Sequence, residues 1–166
     1  MKGAKNYIIA LAIVGLILIT SKVSAAKIIA KFEGLRLRAY KDSGGLWTIG
    51  YGNTINPETG LPIKQGDTIT KAKALEWLKI TTASVQARVK ALVKRPVTDN
   101  QLAALTSLAY NIGLGAFGRS TLLRKLNAGE NSSAVAAEFL RWNKVAGKEI
   151  PGLTNRRKLE AELFLS

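Results

Sequence analysis

Glu33, Asp42 and Thr48 supply two carboxyl groups and a hydroxyl within sixteen residues, a set suited to hydrolysis. The chain contains no His and no Cys. That excludes imidazole bases, thiolate nucleophiles, disulfides and nearly every zinc site, so no metal and no cofactor is expected. Any chemistry must come from carboxylates, hydroxyls, amides, Lys or Arg. Before Glu76 the acids are Glu33, Asp42, Glu58 and Asp67, and the last two fall in or after turn chemistry. Paired carboxylates with room for a water between them suit glycoside hydrolysis with inversion, one as proton donor and the other as base. Glu33 follows Phe32 and stands one turn beyond Ile29, an apolar setting that favours the protonated form of a donor. Asp42 lies among Lys41, Ser43 and glycines, a setting that suits a carboxylate. The alternative is plain: Glu33 as a helix-end surface charge and Asp42 as an ordinary turn residue.

On one continuous helix Glu33 and Asp42 would sit ~13.5 Å apart along the axis and on opposite faces. Gly34, however, ends the helix over Ala26–Glu33, and Ser43-Gly44-Gly45 signals a turn. Trp47 to Thr54 alternates with period two, placing Trp47, Ile49 and Tyr51 on one face and Thr48, Gly50, Gly52 and Thr54 on the other. A three-residue hairpin loop centred on Gly45 sets Asp42 opposite Thr48, with Cβ atoms ~5 Å apart, whereas a two-residue loop shifts the pairing by one. The small-residue face then admits something close to the backbone.

Residues 35–67 therefore read as a β-lobe. Residues 70–93 follow as a long connecting helix with Leu75, Leu78, Val85, Val89 and Leu92 inward. Thr98-Asp99-Asn100-Gln101 is a capping box opening a helix that carries Leu102, Leu105, Leu108 and Ala109, and Gly113 and Gly115 stop it. Further helices are expected over Ser120–Leu126, Ser132–Trp142 and Thr154–Phe164, the last capped by Thr154. The fold class is α+β, mainly helical: a β-lobe, a connecting helix and a helical lobe over about 98–166, with a cleft between the lobes.

At 166 residues the chain suits one domain after a short leader. The formal net charge is +14, from 25 Lys and Arg against 11 Asp and Glu, so an anionic partner is expected. Residues 1–25 hold three Lys and no acid, which leaves 22 basic against 11 acidic residues, or +11, for 26–166. Tyr7 to Thr20 is an uncharged run of 14 residues, about 21 Å as a helix and short of the ~30 Å hydrocarbon core. With basic residues before it and Val23-Ser24-Ala25 after it, residues 1–25 read as an export signal cleaved after Ala25, or as an uncleaved tether contacting the inner membrane through 7–20.

Phe32-Glu33-Gly34, Tyr40-x-Asp42 and Trp47-Thr48-Ile49-Gly50-Tyr51-Gly52-Asn53-Thr54 resemble the signature of the phage-type lysozymes, glycoside hydrolase family 24. The resemblance continues through Gln101 to Leu105, Tyr110 to Gly113, Phe117 to Asn127, Arg141-Trp142 and Gly152 to Arg157. It implies a two-lobe lysozyme-like fold and a muramidase that cuts the β-1,4 bond between N-acetylmuramic acid and N-acetylglucosamine. It implies Glu33 as general acid, Asp42 as the carboxylate that activates or positions water, Thr48 as the hydroxyl orienting it, and Arg156 as the partner of Glu33. Thr54, Tyr110, Asn111 and Ser120 match positions lining the saccharide groove, and Trp142 sits beside it. Tyr110 and Trp142 are equally readable as core aromatics and Ser120 as a helix cap. Where some members have His this chain has Asn53, and its apolar run is rich in Ile and Leu, whereas members with a releasable membrane anchor are rich in Gly and Ala there. That favours the cleaved signal.

The expected protein is a monomeric endolysin exported to the periplasm, acting on bacterial peptidoglycan. A lytic transglycosylase would cut the same bond with one acid and no water, and Asp42 and Thr48 argue against it. A basic wall- or nucleic-acid-binding module would account for the charge, Arg88, Lys90, Lys94 and Arg95 forming a basic run, but no base-reading motif accompanies it and no nucleic-acid partner is expected.

Overall fold

Ser24 opens the first helix: its side chain accepts the Lys27 amide at 3.4 Å, capping α1 (Ala25–Glu33), and Gly34 closes it at φ 68°. The structure is a computed structural model describing residues 23–42 and 44–166. The apolar run at 7–20 lies outside the described residues. Ala25, Ile28 and Ile29 bury one face of α1 in the main core, while Glu33 at its last turn is partly open.

Strand β1 (Arg36–Lys41) pairs antiparallel with β2 (Trp47–Gly50), Tyr40 opposite Thr48 and Lys41 opposite Trp47. This register differs from the expected one, because the loop is centred on Gly44 rather than Gly45 and sets Asp42 opposite Leu46. Asp42 itself fixes the turn. Its Oδ1 accepts the amides of Gly44 and Leu46 at 2.9 Å each, and its carbonyl accepts that of Gly45 at 3.0 Å. A slip of two residues leaves every side chain on its original face, so Asp42 and Thr48 remain on one face as diagonal neighbours. The opposite face feeds a small apolar cluster of Ile49, Ile63 and Trp77, flanked by Ala39 and Trp47.

The connecting helix α2 (Lys71–Leu92) begins where Thr70 Oγ1 accepts the Lys73 amide at 3.1 Å, and at 22 residues it runs for about 33 Å. Ala74, Trp77, Leu78, Thr82 and Val89 form its buried face. Leu75 is a correction, being 38% exposed: the stripe runs through Ala74 and Leu78, and Leu75 falls beside it.

The helix α3 (Asp99–Ile112) is opened by the expected capping box, Thr98 and Gln101 each satisfying the other's backbone amide. Its residues 102–109 are all buried, so it is the axis of the helical lobe, surrounded rather than amphipathic. Gly113 ends it, but Gly115 lies inside a further short helix, α4 (Leu114–Gly118). Then come α5 (Thr121–Ala128), α6 (Ser132–Ala137), a 3₁₀ turn (Glu138–Trp142), a two-residue hairpin of β3 (Lys144–Val145) and β4 (Lys148–Glu149), and α7 (Pro151–Leu165). Two expectations change here. The segment over Ser132–Trp142 tightens to 3₁₀ after Ala137, which carries Phe139 into the core against Phe164 at 5.7 Å. The last helix starts at Pro151 in its first turn. Thr154 therefore lies inside it, and its hydroxyl accepts from Asn143 at 3.1 Å instead of capping.

Candidate active site

Two helices and one hairpin deliver the site. Glu33 stands at the C-terminal end of α1, where Gly34 breaks the helix. Arg156, on the second turn of α7, donates from Nη1 to Glu33 Oε1 at 2.7 Å. The Arg156 side chain is 3% exposed and that of Glu33 is 22% exposed, so the carboxyl is held from the buried side and reached from the solvent side. The Arg156 guanidinium also lies 5.6 Å from the centre of the Phe32 ring. Glu33 Oε2 points toward Gly52, where a Cβ would lie 3.6 Å from it. Gly52 has φ 92°, so the backbone both adopts a conformation glycine favours and leaves the carboxylate room.

Thr48 is buried, and its hydroxyl lies 3.5 Å from Asp42 Oδ2 and 3.2 Å from the Leu46 carbonyl. Because Asp42 spends Oδ1 on the turn, Oδ2 remains for a ligand beside the Thr48 hydroxyl. Glu33 and Arg156 thus form one pair at the end of α1, next to Gly52, and Asp42 and Thr48 form another on the hairpin.

A cleft of about 470 Å³ is lined by Gly52, Asn53, Thr54, Thr81, Ser84 and Tyr110 among others; Gly52 brings its wall next to Glu33, while Glu33, Asp42, Thr48 and Arg156 do not themselves line it. Thr54 and Tyr110 stand in its wall. The Tyr110 hydroxyl donates to the Tyr51 carbonyl at 2.8 Å, tying helix α3 to the β-lobe across the cleft. Burial pushes the Tyr110 phenol well above its usual range, and the Glu33 charge adds to this while Arg156 opposes it. Asn53 donates to Thr81 Oγ1 at 3.0 Å. Asn111 is exposed, and its Oδ1 accepts from Arg157 at 3.0 Å.

Ser120 and Trp142 line a different cavity of about 410 Å³, with Arg119, Thr121, Glu138 and Arg141. The buried Ser120 hydroxyl accepts the Leu123 amide at 3.1 Å and donates to the Phe117 carbonyl at 2.7 Å, so it caps α5. A larger cavity of about 640 Å³ lies among Glu58, Asp67, Lys73 and Trp77 and contains none of Glu33, Asp42 or Thr48. Among the described residues no group of three or more His, Cys, Asp or Glu could hold a metal ion.

Behind Arg156 lies a buried charged group that the sequence reading did not name. Glu160 Oε1 accepts from Arg156 Nε at 3.2 Å, from Arg157 Nη2 at 3.3 Å and from Ser107 Oγ at 2.5 Å. Glu160 Oε2 lies 3.0 Å from Arg157 Nε. Burial pushes the Glu160 carboxyl up, against the pull of the two arginines and Ser107, and brings Arg157 down to about 10, against the Glu160 charge. The spacing of Arg156, Arg157 and Glu160 at three and four residues was a legible signal of helix-face pairing. Ser107, from α3, had none.

A helical lobe and a β-lobe, with a Glu–Arg pair next to the cleft wall at Gly52 and a carboxylate–hydroxyl pair on the β-hairpin, define a lysozyme-like glycosidase. The phage lysozyme family model matches residues 30–160. The endolysin of Acyrthosiphon pisum secondary endosymbiont phage 1 is 46% identical over 143 residues, covering 84% of this chain and 93% of that protein. The SAR-endolysin of Enterobacteria phage PA-2 is 36% identical over 133 residues, covering 80% and 77%. The solved structure of the endolysin from Escherichia coli O157:H7 phage FAHEc1 superposes with a TM-score of 0.75 at 40% identity, covering 86% of this chain and 90% of that one. This chain belongs to the phage lysozyme family, and it is a peptidoglycan-lysing muramidase.

Proposed function

We propose that Glu33 is the proton donor of this muramidase and that Asp42 and Thr48 hold the attacking water. The reading is carried by one observation: two carboxyl groups have different partners, Glu33 held by Arg156 at 2.7 Å next to Gly52 of the cleft wall, and Asp42 on the hairpin beside the Thr48 hydroxyl at 3.5 Å. A sugar chain lying along Thr54 and Tyr110 presents its glycosidic oxygen to Glu33 Oε2, which carries the proton and gives it to the leaving oxygen as the bond to the anomeric carbon breaks. Asp42 Oδ2 takes a proton from water oriented by Thr48, and the resulting hydroxyl forms the new bond to the anomeric carbon from the opposite face. The bond cut is the β-1,4 link from N-acetylmuramic acid to N-acetylglucosamine. Arg156 holds the Glu33 carboxyl in place through Oε1 and leaves Oε2 free to act. Asn111 extends the sugar-binding edge beyond Tyr110, while Ser120 and Trp142 support a more distant part of it.

The charge of residues 26–166 draws the enzyme to an anionic wall. The site of action is the periplasmic face of the wall, reached by export through residues 1–25. The relative from phage PA-2 is named a SAR-endolysin, and Ser24 caps α1 while Ala25 is buried in it. We therefore favour retention of the leader as a membrane anchor over cleavage after Ala25.

The test is mass analysis of glycan fragments released from purified peptidoglycan by wild type and Glu33→Gln. Wild type yields reducing N-acetylmuramic acid ends, and the variant folds but loses at least ~10²-fold in rate. A 1,6-anhydro product would replace the hydrolase by the transglycosylase, and an active Glu33→Gln would remove Glu33 from the chemistry.

A further inference from the structure

Arg156 has two carboxylate partners. It gives Nη1 to Glu33 at 2.7 Å and Nε to Glu160 at 3.2 Å, while Nη2 donates to the Ser107 carbonyl at 3.2 Å. Glu160 and Arg157 have no exposed side-chain surface, and Arg156 is almost as deeply buried. Buried charges of this kind persist only when they are paired and hydrogen-bonded. With Glu33 ionised, two guanidinium groups face two carboxylates and the cluster is neutral. A proton donor, however, begins each turnover neutral. When Glu33 carries its proton, Arg156 and Arg157 are left with one anion between them, and that anion is Glu160.

We propose that Glu160 is a positioning residue for the muramidase reaction: by holding Arg156 from the buried side and supplying the counter-charge it needs, Glu160 permits Glu33 to be protonated and aimed. The inference rests on the reading of Glu33 as proton donor. The groups that face Glu160 are Arg156 and Arg157 from its own helix and Ser107 from α3. Glu33 from α1 meets the cluster through Arg156, and Asn111 from α3 meets it through Arg157. Tyr110 from α3 feels the charges of Glu33 and Arg156. The 3₁₀ turn that packs on α7 brings Glu138 and Arg141, but these pair with each other at 3.1 Å and Glu138 with Lys125 at 2.9 Å, outside the cluster. Helix α6 presents no charged residue.

Replacing the Glu160 carboxylate by an amide of the same shape leaves two unbalanced cations behind Glu33. They favour the ionised, inactive form of the donor. A unit charge acting over a few ångström through an effective dielectric of ~20 moves a titration by on the order of one pH unit. The experiment measures kcat and KM on soluble glycan strands across the pH range for wild type, Glu160→Gln and Glu160→Asp. In Glu160→Gln the upper limb of the kcat profile moves to lower pH by about one unit, and activity recovers toward acid pH with KM little changed. Glu160→Asp keeps the charge, so its upper limb stays in place even where the rate falls.

An unmoved upper limb in Glu160→Gln, or an equal displacement in Glu160→Asp, overturns the proposal. If Glu160→Gln does not fold, carboxyl ¹³C NMR of wild type decides: Glu160 ionised at the pH of maximal rate supports it, and Glu160 protonated there overturns it. Glu33→Gln in the same assay separates the two readings. An active Glu33→Gln removes both, whereas an inactive one beside an unmoved Glu160→Gln limb removes only the role of Glu160.

Discussion

Thr48 stands diagonally across the β1–β2 hairpin from Asp42, its hydroxyl 3.5 Å from Oδ2, while Asp42 Oδ1 holds the turn through the amides of Gly44 and Leu46. On the proposed mechanism one carboxylate therefore has two separable jobs, and substitutions can divide them. Asn at position 42 can still accept the two amides, so Asp42→Asn keeps the hairpin and loses the base. Asp42→Ala loses both. The expected result is a rate deficit of ~10² or more in each, with unfolding midpoints near wild type for Asp42→Asn and lower for Asp42→Ala. Thr48→Val fills the same buried space without the hydroxyl and should cost on the order of 10²-fold through misplaced water. Steady-state rates on soluble glycan strands and urea midpoints check all three. Wild-type turnover in Asp42→Asn would remove the carboxylate charge from the mechanism.

The closeness of Gly52 to Glu33 yields a second prediction. Any other residue at φ 92° is strained, by about 1–3 kcal/mol, and a Cβ there would lie 3.6 Å from Glu33 Oε2. Gly52→Ala should lower the urea midpoint by that strain and lower turnover further, because the methyl group occupies space beside the oxygen that must reach the substrate. Gly66 also has positive φ, at 88°, but a Cβ there meets nothing within 4 Å. Gly66→Ala is therefore the control: strained, with turnover per folded molecule unchanged. Equal turnover losses in the two variants would show that the contact with Glu33 is irrelevant.

What the sequence disclosed and what it withheld follow from the range of the forces involved. Caps and helix spans are local, so Thr70, Thr98 and Ser120 were legible as helix starts and Gly34 and Gly113 as stops. The hairpin was legible in its faces but not in its register, because a two-residue slip moves no side chain across the sheet. What decided the register was Asp42, whose Oδ1 gathers two amides of the turn. Leu75 and Leu78 look alike in a periodic pattern, and only the packing of α2 buries one and exposes the other. Arg156 was paired with Glu33 through family resemblance, since 123 residues separate them and no local rule joins them. Glu160 was legible as a helix-face neighbour of Arg156 and Arg157, but its burial was not, because that came only when α3 and α7 packed together and placed Ser107 against it.

Export makes a third prediction. Ser24 supplies the α1 cap and Ala25 is 4% exposed in the core. Cutting after Ala25 would strip the cap, at a typical cost of ~1 kcal/mol, and remove a core contact from the helix that carries Glu33. The form isolated from host membranes should therefore begin at or near Met1. Intact-mass measurement of protein from membrane and periplasmic fractions checks this, and a mature form beginning at Ala26 would establish the cleaved signal instead.

Tyr110 gives a prediction in which pH sets the sign. Its hydroxyl donates to the Tyr51 carbonyl at 2.8 Å, and burial holds its phenol above the usual range. At neutral pH Tyr110→Phe should lose the net worth of one hydrogen bond, about 0.5–1.5 kcal/mol. In the unfolded chain the phenol ionises near pH ~10, while the folded protein keeps the proton to higher pH. The stability tied to Tyr110 is thus fully present below about pH 10 and is lost as pH rises from there through the folded value. Phe has no proton to lose, so the advantage of wild type over Tyr110→Phe should shrink above pH ~10 by about 1.4 kcal/mol per unit. Arg157 titrates in the same region, but it is common to both proteins and cancels in the difference. Urea unfolding of the pair at neutral pH and near pH ~11 reads the change directly. A difference that stays constant between the two conditions would mean that Tyr110 ionises equally easily in the folded and unfolded chains, and that its hydroxyl does not bridge helix α3 to the β-lobe.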